Sequence, residues 1–234
     1  MTRLTTCPDA EAVAGRAAAL IARQLQEALQ ARGAAHLALS GGTTPGATYE
    51  LLAAEMPRWE AVELWFADER CVAPEDPNSN YRLARETLLD RVPIGAGQVH
   101  RMEGELGPEE GAAGYAAALR EHLGERPEID TVVLGIGPDG HVASLFPGAE
   151  ALDADPAELC LGVHDSPKPP PERLTLTLEV LRRARSCVLL ATGASKADAI
   201  AAMLGEPSRH VPASLLRRER LSVIVDDAAA PPPP

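Results

Sequence analysis

The sequence predicts an α/β fold organised as a single domain, and three observations carry that prediction. Short apolar runs of β character alternate with amphipathic helical stretches along the whole chain, the pattern of layered α/β proteins. The chain has 234 residues, a length at which one α/β unit buries a substantial core, and no linker-like stretch divides it. Hydrophobic residues make up 45% and charged residues 24%, the balance of an ordinary globular protein. The domain is placed at residues 1–227, with an Ala/Pro tail at 228–234.

Asp9 is a fitting N-cap for the first helix, in which Val13, Ala17, Leu20, Ile21, Leu25, Ala28 and Leu29 recur at helical spacing until Gly33 stops the pattern. HLALS at 36–40, AVELWFA at 61–67, TVVLGI at 131–136, SCVLLAT at 186–192 and LSVIV at 221–225 read as strands. Helices are expected over 45–55, 80–91, 108–123 and 195–204, each opening near a Pro, Asn or Ser and carrying an apolar stripe. The tail ends in four prolines, which support neither helix nor sheet pairing, so it is expected to fray.

The 22 basic residues stand against 34 acidic ones, a net charge of −12. The surface as a whole therefore repels nucleic acid and anionic membranes. An anionic small molecule can still bind where the few cations converge in a cleft. Only two lysines are present, Lys168 and Lys196, and both fall in segments singled out below. Cys7, Cys71, Cys160 and Cys187 form no C-x-x-C pair or Cys/His cluster, which points to reduced, buried thiols and to no metal site. The N-terminal residues lack an apolar signal core, and no run approaches the ~20 apolar residues of a membrane span. The expected location is cytoplasmic. The sequence sets no oligomeric state; a monomer satisfies it.

Five segments carry the chemistry. In LALSGGTTPGATYELL, 37–52, a strand runs through Ser40, Gly41, Gly42, Thr43 and Thr44 into a helix opened by Pro45. Glycines let backbone N–H groups approach an anion, hydroxyls add donors, and a helix N-terminus favours negative charge. The G-K-[ST] ending of a Walker A loop is missing, so this is a phosphate cradle of another kind. In LWFADERCVAPEDPNSNYRLARETLL, 64–89, an apolar strand runs straight into Asp68, Glu69 and Arg70. Ligands of open α/β sheets sit at the carboxyl ends of strands, where such charges can reach them. Asn78, Ser79 and Asn80 follow, able to cap the next helix or to hydrogen-bond sugar hydroxyls.

In DTVVLGIGPDGHVASLFPG, 130–148, a buried strand ends in a Pro138-Asp139-Gly140 turn that presents His141, and a short helix over VASLF is expected to follow. A helix N-terminus would keep the imidazole neutral near pH 7, as a general base requires. Lys168 sits in the proline-stiffened loop of SPKPPPERLTLTLEVL, 166–181, where Arg173 precedes an alternating L-T-L-T-L stretch. Lys196 follows a strand-to-Gly turn in LLATGASKADAIAAML, 189–204, a place where backbone amides and an ammonium converge on phosphate. Arg182, Arg183 and Arg185 read as a solvated helix face.

Taken in this order, ALSGGTTP, WFADER with NSNY, LGIGPDGHVASLFPG, SPKPPPERLTLT and TGASKADAI resemble the 6-phosphogluconolactonases from about residue 10 to about residue 225. The resemblance implies a central, mostly parallel sheet wrapped by helices, Rossmann-like in the manner of the sugar-phosphate isomerases and deaminases. It implies a cofactor-free enzyme that hydrolyses 6-phospho-D-glucono-1,5-lactone to 6-phospho-D-gluconate in the oxidative pentose phosphate pathway, with that sugar phosphate as its small-molecule partner. His141 would activate water and return a proton to the ring oxygen. Asp139 or Asp68 would orient the imidazole, the water or a sugar hydroxyl, and Arg70 would stabilise negative charge. Ser40, Gly41, Gly42, Thr43, Arg173 and Lys196 would hold the 6-phosphate, with Lys168 a further contributor and Asn80 a substrate contact.

Two other readings compete. The glucosamine-6-phosphate deaminases share the Gly-Gly-Thr loop, the Asp-Glu pair and the Asp-Gly-His motif, but carry a glutamate five residues beyond the histidine, where this chain has Phe146, and usually a tyrosine where it has Arg70. A non-catalytic sugar-phosphate module of a transcription regulator would need a helix-turn-helix, for which the residues before the first helix leave no room. Near the C-terminus, VPASLLRRERLSVIVDDAAA keeps the Pro-Ala-Ser turn of the resemblance but lacks its usual Gly-rich and Trp-containing stretch.

Overall fold

The structure is a computed structural model, and it describes residues 2–56 and 58–231. The chain begins with β1 (Arg3–Cys7) and α1 (Ala10–Arg32). Helix α1 opens and closes on the two residues its sequence marks out. The Asp9 carboxylate accepts from the Ala12 N–H at 2.8 Å, and Gly33 takes a left-handed φ of 79° as its N–H bonds Leu29 O. Then come β2 (Ala35–Leu39), α2 (Thr43–Glu55), β3 (Val62–Phe66), β4 (Asp68–Arg70), α3 (Asn80–Thr87) and α4 (Pro108–Leu123). The second half holds β5 (Thr131–Gly135), β6 (Cys160–Val163), β7 (Arg173–Leu176), α5 (Leu178–Arg183), β8 (Cys187–Ala191), α6 (Ala197–Leu204) and β9 (Leu221–Asp226). Helix α2 starts at Thr43 rather than at Pro45. Helix α3 ends at Thr87 and hands over to a 3₁₀ turn at Leu89–Arg91, and α6 is preceded by another at Ala194–Lys196.

Six strands form one sheet in the order β1-β9-β8-β5-β2-β3, every neighbouring pair parallel. Strand β8 is buried along its whole length, as a sheet covered on both faces requires. The buried stripe of α1, Val13, Ala17, Ile21 and Leu25, joins that core. From β2 the chain steps to β3 on one side while β5 lies on the other. The order therefore reverses at β2, and a crevice opens beyond the carboxyl ends of β2 and β5.

A second sheet extends this crevice. Ala67 leads from β3 into β4; its N–H bonds Leu39 O at 2.8 Å and its carbonyl accepts from the Leu176 N–H at 2.8 Å. Strand β4 then pairs antiparallel with β7, and β7 with β6. The L-T-L-T alternation was the trace of β7, yet every residue of β7 is buried. The pairing sets Asp68 opposite Thr175 and Arg70 opposite Arg173.

Three expectations are corrected here. No helix follows His141: Ala143 adopts φ 49°, the Leu145 N–H turns back to Val142 O at 3.0 Å, and Pro147 removes a further helical donor. The segment is a tight turn. Next, the tail does not fray from its start. Ala229 is fully buried and its N–H bonds the Asp226 carboxylate at 2.8 Å, so the packed domain runs past residue 227; residues 232–234 lie outside the described residues. Last, Arg182 and Arg183 sit on α5 half-buried, bonded to Leu215 O at 2.8 Å and to Glu179 at 3.1 Å, and Arg185 lies beyond the helix and pairs with Glu128. All four cysteines are free, and Cys7, Cys160 and Cys187 are buried. Burial pushes the Cys160 and Cys187 thiols up to about 12, which removes them as nucleophiles at neutral pH.

Candidate active site

The crevice at the strand-order reversal is a cavity of about 440 Å³. Its wall contains Ser40, Gly41, Gly42 and Thr43 after β2, Asp68 and Arg70 of β4, His141, and the cationic residues Lys168, Arg173 and Lys196. Two residues selected from the sequence, Asp139 and Asn80, are not part of this wall, though each is bonded to a residue in it.

His141 is carried by a turn in which the Gly140 N–H bonds Gly137 O at 2.9 Å and the Gly137 N–H bonds His141 O at 2.9 Å. Pro138 presets the second position of that turn. His141 Nδ1 lies 2.6 Å from Asp139 Oδ1. An ionised carboxylate only accepts, so Nδ1 carries the proton and Nε2 keeps its lone pair. Burial is the main cause that pushes the His141 pKa down, against the upward pull of Asp139. The Phe146 ring, 4.7 Å from the imidazole between centroids, supplies part of that burial. Neutrality therefore comes from desolvation, not from a helix dipole. Burial alone would raise Asp139, but the hydrogen bond and charge of His141, with Lys168 beyond, hold its carboxyl below the usual range.

In the Asp68-Glu69-Arg70 run the three side chains divide the work. Asp68 lines the cavity, 5% exposed, and takes hydrogen bonds from Ser144 Oγ at 2.8 Å and Asn80 Nδ2 at 3.1 Å. Glu69 faces away and is an anchor. Its carboxylate accepts from the backbone N–H groups of Arg70, Asn80 and Tyr81, each at 2.7 Å, and from Ser79 Oγ at 3.0 Å. Burial pushes its pKa up while those donors pull it down. It thereby fixes the start of α3, which Ser79 caps through the Arg82 N–H at 3.1 Å. Arg70 donates from Nη1 to Asn78 O at 2.5 Å, and its buried Nε has no partner.

The cationic wall differs in detail from what the sequence suggests. Arg173 is buried and its donors turn inward, Nε to Pro170 O at 3.1 Å and Nη2 to Lys168 O at 2.9 Å. It holds the Lys168 loop in place and brings its charge to the cavity. Lys196 Nζ donates to Ile136 O at 2.8 Å. Burial, then the Lys168 ammonium, lowers the Lys196 pKa; a dianion between the two ammonium groups would relieve that repulsion. On the other side, Tyr49 of α2 takes up both the N–H and the C=O of Ser40, each at 2.8 Å. The buried Ser40 hydroxyl is left without a protein partner, as befits a group awaiting a ligand. Asn80 makes no part of the wall. Its amide also bonds Asp68 O at 2.8 Å, so its donors serve Asp68 and are not free for a sugar.

Sequence patterning did not find Ser144, Thr192 or Asp226. The Thr192 hydroxyl meets Thr44 Oγ1 at 2.8 Å and ties the two strand-end loops together. The Asp226 carboxylate accepts from the Gly193 N–H at 3.0 Å, fixing the turn before Lys196. The C-terminal Pro-Ala-Ser turn also packs on the site, for the Ala213 N–H bonds Gly140 O at 3.0 Å.

Residues 8–225 match the family model described as glucosamine-6-phosphate isomerases/6-phosphogluconolactonase. A 6-phosphogluconolactonase of Streptomyces coelicolor is 38% identical over 236 residues, covering 94% of this chain and 90% of that protein. The crystal structure of 6-phosphogluconolactonase from Thermotoga maritima is 27% identical with a TM-score of 0.86, over 97% of this chain and 99% of that one. A monomeric glucosamine-6-phosphate deaminase reaches a TM-score of 0.82 at 23% identity, over 97% and 98% of the two chains, a likeness of fold alone. The backbone does not separate the two chemistries, which leaves the side chains of the site to do so. By the family match and by its similarity to these lactonases, the chain belongs to the glucosamine-6-phosphate isomerase/6-phosphogluconolactonase family.

Proposed function

We propose that this chain hydrolyses 6-phospho-D-glucono-1,5-lactone to 6-phospho-D-gluconate, with His141 as the general base. The observation that carries the reading is the His141–Asp139 pair at 2.6 Å beside Phe146. A neutral imidazole is poised to take a proton, and a ring stands where a deaminase would need a second carboxylate. Nε2 takes a proton from water as its oxygen attacks the lactone C1, and the electron pair of the carbonyl moves onto its oxygen. Arg70 lies on the same wall to stabilise that charge. The tetrahedral intermediate collapses, the C1–ring oxygen bond breaks, and the imidazolium returns the proton to the ring oxygen. Asp139 stabilises the imidazolium between the two transfers. The Ser40–Thr43 loop, Lys168 and Lys196 receive the 6-phosphate.

The reading is tested by following freshly generated lactone above its spontaneous hydrolysis. Ammonia release from glucosamine 6-phosphate, with no lactone turnover, would overturn it in favour of the deaminase. No helix among the described residues is long and apolar enough to cross a membrane, and we place the protein in the cytoplasm, where four unpaired cysteines suit the reducing conditions.

The pH dependence follows from the base. A base must be neutral, so kcat/KM falls as pH drops through the His141 pKa, which burial holds below the ordinary imidazole value of about 6.5. In Asp139→Asn the raising effect of the carboxylate is gone. The acid limb moves to still lower pH while kcat drops about 10- to 100-fold, because the imidazolium is no longer stabilised. A pH–rate profile of the variant checks both, and an acid limb that moved upward would count against the pair.

Lys196→Ala acts on binding. Its ammonium meets a phosphate remote from C1, so KM rises about 10-fold while kcat stays within a factor of about 3. Steady-state kinetics decide the matter; an unchanged KM would remove Lys196 from the phosphate site.

A further inference from the structure

We infer that Ser144 is a positioning residue for Asp68, delivered to it by the left-handed turn at Ala143; the inference rests on the lactonase reading above. Asp68 is a carboxylate in the cavity wall, and its two oxygens are held from behind by different parts of the chain. Asn80 at the start of α3 reaches Oδ1 at 3.1 Å, and Ser144 Oγ reaches Oδ2 at 2.8 Å. The Ser144 side chain has no exposure at all. A buried serine hydroxyl commonly satisfies itself on nearby backbone; this one spans the chain to a carboxylate 76 positions away.

The local backbone is shaped for that reach. Ala143 is the non-glycine residue of the described chain with a positive φ, 49°, a conformation disfavoured for a side chain with a Cβ. The turn is held open by the Ser144 N–H, which bonds Thr175 Oγ1 at 3.2 Å, while the Thr175 hydroxyl donates to Leu176 O at 3.1 Å. Thr175 is also the residue that faces Asp68 across the β4–β7 ladder. Donor and acceptor are thus both referred to the same point of the small sheet.

The consequence is geometric. Ser144 lies in the Val142–Leu145 turn that directly follows His141, so its hydroxyl fixes the Asp68 carboxylate relative to the base. With one lone pair of each oxygen occupied, the remaining ones are left for a sugar hydroxyl or the attacking water. Without the Ser144 donor the carboxylate is free to swing toward the guanidinium groups of Arg70 and Arg173 on the same wall.

Ser144→Ala removes one oxygen and leaves the backbone choice unchanged. The expected result is a loss in kcat of about 10-fold with KM within about twofold, in a protein with a native circular dichroism spectrum. If the effect runs through Asp68, it disappears once Asp68 has lost its charge. Asp68→Asn/Ser144→Ala is then no slower than Asp68→Asn, whereas a merely structural serine gives penalties that multiply. Should Ser144→Ala fail to fold, Ser144→Cys, with similar volume and a weak donor, takes its place in the same cycle. A folded variant with native kcat, or multiplying penalties, would overturn the inference. An active His141→Ala would instead overturn the lactonase mechanism on which it stands, so the two failures are told apart.

Discussion

Replacing His141 by alanine lowers kcat for lactone hydrolysis by about 10³-fold, within the range that a positioned acid–base group contributes, and leaves the fold intact. The magnitude follows from the double use of one group. The imidazole removes a proton from water and hands it on to the ring oxygen, so its loss is felt in addition and in collapse alike. The nearby Asp68 is no substitute, because Ser144 and Asn80 fix it to orient the water or a sugar hydroxyl, not to hand a proton on to the ring oxygen. The ring lies in the cavity wall beside Phe146, with its side chain 16% exposed, so truncation enlarges an existing cavity rather than hollowing the core and costs little stability. What rate remains comes from phosphate binding and from the charges around C1. Added imidazole, small enough for the space left behind, should restore part of the rate, with a dependence on pH that follows free imidazole. A folded His141→Ala with near-native kcat would remove the histidine from the mechanism, and the carboxylates would have to be reconsidered as bases.

The framework of the site was legible because it lies at strand ends. Asp9 and Gly33 bound α1 where local chemistry says they should, and the long parallel strands are continuous apolar runs that no other element would explain. The glycine turns after β2 and β5 therefore fell at the crevice. The small antiparallel sheet was hidden for the opposite reason. Its strands are three or four residues long, and its stabilising pairs join Asp68 to Thr175 across the chain, a contact that no local pattern announces. Strand β1, a short edge strand with mostly exposed side chains, leaves no apolar run to read. The VASLF segment misled in another way. It has the composition of a helix, but its course is set by the buried contacts of Ser144 and by Pro147. The same limit explains Asn80 and Arg173. Residue type and position singled them out, yet which way their donors turn depends on carbonyls and carboxylates supplied by the folded chain.

Gly137→Ala should lower kcat about 10²-fold or more, a loss within about tenfold of that from removing the base, although alanine adds a single methyl group. A Cβ at Gly137 would stand 2.0 Å from His141 Nδ1 and 2.2 Å from Asp139 Oδ1, far inside van der Waals contact with both members of the pair. The backbone φ gives no reason for glycine here, because that of Gly137 lies outside the left-handed region. What must move is the side-chain pair. The imidazole and the carboxylate are pushed off the 2.6 Å hydrogen bond that fixes the tautomer, and Nε2 turns away from C1. A displacement of about 1 Å at the reacting group is enough for a loss of this size. Gly140 makes the contrast. Its φ of 82° and the Val211 side chain 2.8 Å from its Cβ position make it a requirement of the turn itself, so substitution there strains the fold. The distinguishing measurement is therefore activity against stability. Gly137→Ala is expected to melt within a few degrees of the parent protein, to retain product binding through the phosphate loops, and to lose the rate. If kcat stayed near native in the folded variant, the His141–Asp139 bond could not be what prepares the base, and the role assigned to Asp139 would fall with it.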